Sequence, residues 1–429
     1  MTWNFRLVRR TDPRSTSPSY GVLGQPLAMT GSPVDIAGQS QAEVREYPKM
    51  IRRNREFFSI GLMLIFFFLA AGCGKQEPVI KIGFAGPLTG DQAAQGLDML
   101  HGAELAVEQA NAAGMVIPGY KLELTAQDDS RSPAQAVAVA KKLAADPDVL
   151  VIVGHLNSSC TKPASAVYHE AKILHINPVS SNPEISRQGF ENLYRICSTD
   201  DLQGPAGAKF AIQRLGAKRI FVIDDMTTYG RGLSNEFVKA AKANGAEILG
   251  QEGITQGEKD FTPLLTKIKS LAPDLICFAG MYPEGALLMK QRLELNIPAK
   301  FLGGDGLFEP TLIQLATPQA AEGVYVTSLG GDIHQIPSAK EFIRSYEAKY
   351  GHLGAYSAYS YEAARLAIEA IHRAGTKNRQ AVLAVMKGIK EYPGILGVHS
   401  FDERGDTTIR TIGIYTVRDG KFQFLEASN

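Results

Sequence analysis

The chain is poor in cysteine, in tryptophan and in net charge, and each shortage removes a class of protein. Four cysteines in 429 residues, Cys73, Cys160, Cys197 and Cys277, are too few for a disulfide framework and show no paired metal-ligand spacing. One tryptophan and an aromatic share of 8% offer no stacking platform. The 45 basic and 44 acidic residues leave a formal charge of +1, which draws neither nucleic acid nor a cationic partner. Motifs are missing as well. No P-loop or dinucleotide fingerprint occurs, and the fragment Gly304-Asp305-Gly306-Leu307-Phe308 lacks the required spacing. His155 stands close to Ser158 and Cys160, but no G-x-S-x-G elbow surrounds the serine and no acidic partner for the imidazole can be argued. A core or capping histidine is the better reading, and the three later cysteines read as small buried hydrophobes. His169 and His175 have no metal-ligand context. No catalytic residue, metal or cofactor is expected, so the chain does not read as an enzyme.

What is present begins with an unusual leader. Residues 1–49 are rich in Arg, Pro, Ser, Gly and Gln without apolar periodicity, and read either as disordered or as preceding the true start at Met50. From Met50 a basic stretch, Ile51-Arg52-Arg53-Asn54-Arg55, runs into an almost unbroken apolar segment from Phe57 to Ala71 and then Gly72-Cys73. That is the architecture of a secretory signal peptide over 50–73. Small residues leading into Cys73 resemble a bacterial lipoprotein box, with Ala70 where Leu is usual. The resemblance implies lipidation of Cys73 and a body tethered to a membrane outside the cytoplasm. An uncleaved anchor is the alternative, although the stretch is short for a span.

From Val79 short apolar runs alternate with amphipathic segments. Strands are expected at Val79–Gly86, Lys121–Asp129, Val149–Val153 and Leu174–Pro178, with helices at Gly102–Ala113, Ser132–Ala145 and Ser158–Ala171. The pattern restarts near Asp200. Strands follow at Arg219–Asp225, Glu247–Ile254, Leu275–Gly280, Lys300–Gly304 and Gly323–Leu329, interleaved with helices. A run of helices then precedes two strand-like segments, Val398–Phe401 and Thr411–Val417. This alternation predicts an α/β chain of two lobes, each a doubly wound parallel sheet.

One stretch carries the chemistry. In Asp148–Thr161 a run of five apolar residues, Val149 to Val153, has the make-up of a strand buried on both faces. Gly154 permits a tight turn, and Asn157, Ser158 and Ser159 place amide and hydroxyl groups where a helix begins. A helix N-terminus carries unpaired N–H groups and partial positive charge, so the turn suits a small carboxylate. Taken alone, it suits a plain N-cap equally well.

Several ordered stretches carry a wider resemblance: G-H-L-N-S-S-C-T-K-P-A-S (154–165), I-N-P-V-S-S-N-P-E (176–184), D-L-Q-G-P (201–205), T-Y-G-R-G-L (228–233), G-E-K-D-F (257–261), M-Y-P-E (281–284), G-G-D-G-L (303–307) and F-D-E-R-G-D (401–406). Over residues 79–425 the chain resembles the leucine/isoleucine/valine-binding receptors of ABC transporters, which are type I periplasmic binding proteins. The resemblance implies two lobes joined by a hinge with a ligand cleft between them. The N-terminal lobe would comprise 79–199 plus 329–396, and the C-terminal lobe 200–328 plus 397–429. It implies capture of a small amino acid, branched-chain or related, and its delivery to an ABC permease. Two alternatives stay open: a sensory module of the same fold that signals to a membrane partner, and binding of an amide or other small carboxylate.

By motif position the resemblance assigns Ser158 to the ligand carboxylate, Val179 and Ser181 to main-chain and hydroxyl contacts, Tyr229 to a contact from the second lobe, and Asp305 to the ligand ammonium. A zwitterion stripped of water needs donors at one end and an anion at the other. The departures lie where the ligand side chain would sit. Gln95 stands in place of an aromatic residue and Met281 in place of a tyrosine, leaving Tyr356 and Phe308 as remaining aromatic walls. The two cysteines that are bridged in some members fall at Arg131 and Asn157, so that disulfide is absent.

Overall fold

The computed structural model describes residues 78–114 and 116–428. The expected leader, the signal peptide and the lipidation site at Cys73 lie outside the described residues. Among the described residues no helix is long and apolar enough to cross a membrane.

The first half builds β1 (Val79–Gly86), α1 (Ala93–Ala113), β2 (Lys121–Asp128), α2 (Pro133–Ala145), β3 (Val149–Gly154), α3 (Ser158–Glu170), β4 (Leu174–Asn177) and β5 (Leu193–Arg195). The strands form one parallel sheet in the order β2-β1-β3-β4-β5. Every residue of β3 is buried, as its unbroken apolar run requires of a central parallel strand. Helix α1 starts nine residues before the periodicity suggests. Gly96 and Gly102 both mark close approach: a Cβ at Gly102 would lie 2.1 Å from the Ser357 carbonyl oxygen.

The second half continues with α4 (Asp200–Gln213), β6 (Arg219–Asp224), α5 (Thr228–Ala243), β7 (Glu247–Gly253), α6 (Thr262–Leu271), β8 (Leu275–Ala279), α7 (Tyr282–Glu294), β9 (Lys300–Gly303), α8 (Pro310–Ala316), α9 (Pro318–Ala321) and β10 (Tyr325–Ser328). Then come α10 (Lys340–Tyr350), α11 (Ser357–Ala374), α12 (Arg379–Lys387), the short strands β11 (Tyr392–Pro393) and β12 (Val398–His399), and the pair β13 (Ile412–Arg418) and β14 (Lys421–Ser428). The second sheet has the order β14-β13-β10-β9-β8-β6-β7. It is not wholly parallel: β13 runs antiparallel to β10 and to β14. The tight Asp419-Gly420 turn allows nothing else, because a turn of that length joins only antiparallel strands.

Helices α10, α11 and α12 return to the first lobe, where Phe342, Tyr346, Leu366 and Met386 share one core with Ile80, Phe84 and Val151. The last crossing between lobes falls later than the boundary expected at 397. The Arg195 N–H donates to the Gly405 carbonyl at 2.8 Å, and the Thr407 N–H donates to the Arg195 carbonyl at 2.9 Å, so this segment extends the first sheet. The physical reason is Arg195, a buried guanidinium whose Nε donates to Asp406 Oδ1 at 2.8 Å. A cation at that depth requires a nearby anion, and Asp406 supplies it. Three connections therefore link the lobes, at about 196–199, 329–332 and 409–411; Ser198 Oγ ties the first to the third through the Thr411 carbonyl at 3.1 Å.

Candidate functional site

In each lobe the chain begins at an inner strand, steps outward to one side, and then continues on the other side. The resulting switch points lie between β1 and β3 and between β6 and β8. Loops at such points open a crevice beyond the carboxyl ends of the strands. In the first lobe they carry Gln92, Asn157, Ser158 and Ser159; in the second, Asp225, Thr227, Tyr229 and Met281. Residues of both sets meet at a small cavity, whose walls include Asn157, Ser158, Val179, Ser181, Asp225, Tyr229, Met281, Asp305 and Tyr356.

The first-lobe wall is rich in donors. Gly154 has φ of 146°, and a Cβ there would lie 2.3 Å from the Ala85 carbonyl oxygen, so only glycine turns the chain from β3 into α3. Ser158 is the first residue of α3 and is buried. Its Oγ accepts from the Asn182 N–H at 3.4 Å, leaving its own proton to donate into the cavity. The Ser180 hydroxyl is spent on the turn, donating to the Leu156 carbonyl at 2.8 Å. Ser181, whose hydroxyl meets Asp200, is the serine of that pair that lines the cavity. Behind both, Arg195 Nη1 donates to the carbonyls of Ser180 and Asn182 at 3.1 and 2.8 Å and fixes the wall.

The opposite wall holds carboxylates. Asp305 follows β9 and is buried. Tyr229 Oη donates to its Oδ1 at 2.9 Å, and Tyr356 Oη, from the first lobe, donates to its Oδ2 at 2.8 Å. The glycine before it lets Tyr229 come close, since a Cβ on Gly304 would lie 2.3 Å from the Tyr229 oxygen. Burial pushes the Asp305 carboxyl above its usual range, against the hydroxyls that favour its charge. Tyr356 is itself positioned by Asp98, which accepts from the N–H groups of Tyr356 and Ser357 at 2.8 and 2.7 Å and from Tyr346 Oη at 2.7 Å. Asp200, the first residue of α4, is fully buried, and burial drives its carboxyl well above the ordinary value against the Ser181 hydroxyl that favours its charge.

Contacts between the lobes hold this arrangement closed. Asn182 Nδ2 donates to the Thr228 carbonyl at 2.7 Å, Gln95 Nε2 to the Gly306 carbonyl at 3.4 Å, and Tyr282 Oη to the Asp91 carbonyl. Arg131 Nη1 lies 3.7 Å from Glu284 Oε1.

Ser158, Val179, Ser181, Tyr229, Met281, Asp305 and Tyr356 thus come together around one cavity, and Gln95 lies beside it through Gly306. Phe308 does not join them. It packs on Tyr415 and Phe422 and lines a neighbouring pocket that shares Asp305 and Tyr356 with the first. Sequence reasoning missed Asp98, Asp200 and Asp225, because nothing local distinguishes a carboxylate that meets distant partners. It also missed a partner for His155, whose Nδ1 lies 2.7 Å from Asp129 Oδ2 and whose Nε2 lies 3.0 Å from Tyr168 Oη. All three are fully buried. That chain fastens β2, β3 and α3 together and, like the raised Cys160 thiol, offers nothing to a substrate.

Comparison with known proteins agrees with this geometry. A family model described as periplasmic binding protein matches residues 79–421. The "Leu/Ile/Val-binding protein homolog 1" of Brucella suis is 34% identical over 377 residues, covering 87% of this chain and all of the relative. An "Amino acid binding protein" of Pseudomonas aeruginosa is 36% identical over 350 residues, covering 81% of this chain and 92% of the relative. Among solved structures, the leucine binding protein LivK of Thermotoga maritima superposes with a TM-score of 0.76 at 30% identity, over 82% of this chain and 99% of that one. LivJ of Streptococcus pneumoniae, solved with isoleucine, gives 0.75 at 29% identity over 81% and 98%.

Proposed function

Because the chain belongs to the periplasmic binding protein family, we propose that it is a solute receptor that closes on a small α-amino acid and delivers it to an ABC permease. One observation carries the reading: a donor wall and an acceptor wall from different lobes face each other across one cavity. The amides opening α3, with the Ser158 and Ser181 hydroxyls, suit a carboxylate. Asp305, braced by two tyrosine hydroxyls, suits an ammonium. A zwitterion satisfies both walls and thereby favours the closed form, whose outer surface a permease would read. Relatives named for leucine, isoleucine and valine binding support an amino acid as the ligand class.

Calorimetry with Asp305→Ala tests the assignment. Charge-assisted hydrogen bonds contribute about 1.5–3 kcal/mol each, so the dissociation constant rises at least about tenfold. An unchanged constant removes the ammonium pole. The receptor is further proposed to be held at the membrane through a lipid on Cys73. Cys73→Ser should move it from the membrane fraction to the soluble fraction, and continued membrane retention would defeat that assignment.

A further inference from the structure

One end of the cleft collects buried polar atoms without hydrogen-bond partners: Gln92 Nε2, Gln95 Oε1, Arg131 Nη1, Asn157 Oδ1, Asp225 Oδ2 and Glu284 Oε2. Gln92, Arg131, Asn157 and Asp225 lie on the loops that follow β1, β2, β3 and β6, and Gln95 and Glu284 lie in the first turns of α1 and α7. Buried polar groups are ordinarily paired, and leaving one unpaired is costly. So many at one place mark a position where something else completes them. Two of the six, Asn157 and Asp225, line the cavity itself, one from each lobe. Each has its other polar atom engaged: Asn157 Nδ2 donates to Gln92 Oε1 at 2.9 Å, and Asp225 Oδ1 accepts from the Thr227 hydroxyl at 2.6 Å and the Thr227 N–H at 3.1 Å. What remains of both is an acceptor, with the Gln256 side chain close to that of Asp225, and Gln95 Oε1 is a third.

Resting on the amino-acid reading above, we infer that the cleft selects α-amino acids whose side chain carries a hydrogen-bond donor, a hydroxyl or carboxamide, over hydrocarbon side chains of the same shape. An aliphatic side chain seated between Asn157 and Asp225 leaves both acceptors unpaired. An acidic one meets the Asp225 and Glu284 carboxylates. A carboxamide donates to the acceptors and offers its own oxygen to Gln92 Nε2 or Arg131 Nη1. The cavity is small and favours a short side chain. Sites built to hydrogen-bond a ligand group discriminate strongly against the analogue that lacks it, far more than an apolar pocket discriminates by size.

The test is calorimetric titration of the purified chain with two isosteric pairs, threonine against valine and asparagine against leucine. The polar member of at least one pair should bind about tenfold tighter or better. If valine and leucine bind as tightly as their polar isosteres, this inference falls while the amino-acid reading stands. If none of the four binds, both fall together. Asn157→Leu supplies the second measurement. Asn157 makes no side-chain cap to α3, so the helix does not depend on it, and in the variant the ratio of polar to apolar affinity should be compressed toward one. Full retention of the preference in this variant overturns the role given to Asn157.

Discussion

The first sheet runs β2-β1-β3-β4-β5 and the parallel part of the second runs β7-β6-β8-β9-β10, so each lobe offers the cleft the same set of loops. The residues on those loops differ in sign. The first lobe presents helix amides, Ser158, Ser181 and Asn157; the second presents Asp225 and Asp305, with Asp200 and Glu284 buried. A repeated topology thus supplies two similar scaffolds, and the chemistry comes from what stands at each switch point. Opposed walls of this kind hold a molecule with two poles more tightly than either wall alone.

The largest expected effect comes from damaging one wall only. Arg195 braces the first-lobe wall through Ser180 and Asn182 and answers Asp406 from a fully buried position. Arg195→Ala leaves that aspartate without its buried cation, with Ser186 Oγ at 2.8 Å as a remaining donor, and takes one donor each from the Ser180 and Asn182 carbonyls. Losing one member of a buried pair costs about 3–5 kcal/mol, so urea unfolding should show a loss of that size. No single residue braces the second-lobe wall in the same way, since Asp305 is shared by two tyrosines. A loss below about 1 kcal/mol would show that Arg195 is dispensable and the walls are braced alike.

A somewhat smaller effect, of opposite sign in the two lobes, follows from pH. Burial lifts the Asp225 carboxyl of the second lobe to about 6, above its unfolded value near 3.8. The folded chain therefore holds a proton that the unfolded chain has released, and this contribution to stability is present below about pH 4 and lost as pH rises through about 6. In the first lobe, burial lowers His175 to about 3 from 6.5. Its Nε2 meets the Gly154 carbonyl at 2.7 Å while Nδ1 has no partner, so a second proton there would go unanswered. Its contribution is present above about pH 6.5 and lost as pH falls toward 3. Asp225→Asn should thus stabilise the chain at pH 8 by up to about 3 kcal/mol and change little at pH 4. Thermal melts at the two pH values decide the matter; an equal gain at both would mean that charge at Asp225 is not the cause.

Much of this was legible in the residues because the signals are local. The apolar run Val149–Val153 and the following Gly-to-Ser turn name a buried strand and a helix start within fourteen residues of chain, and the structure has both. Asp305 stood out through its glycines and through resemblance. Sequence could not show which distant groups meet. Asp98 caps a helix 258 positions away at Tyr356, and Arg195 finds Asp406 across 211 positions. Such pairings depend on the return of the chain to the first lobe, which has no local signature. The same holds for Asp225, an ordinary strand-end aspartate until Asn157 is brought opposite it.

The smallest effect, and the sharpest on the comparison, concerns Gln95. It sits on the first lobe, fully buried, and reaches the second through a long hydrogen bond to the Gly306 carbonyl, next to Asp305. Unlike Ser158 it touches neither pole directly, and unlike Asp305 its removal leaves no charge unanswered. In Gln95→Phe the hydrogen bond is lost and a ring occupies space beside Met281, whose sulfur already lies close to Gly306. The zwitterion grip through Ser158 and Asp305 should survive, while ligands differing only in side chain should change rank by about 1–3 kcal/mol, the scale of a pocket methylene. Competition among amino acids for a labelled ligand reads this out. If all weaken by one common factor, Gln95 serves the closure of the lobes and the side-chain wall is set elsewhere, by Asn157 and Asp225.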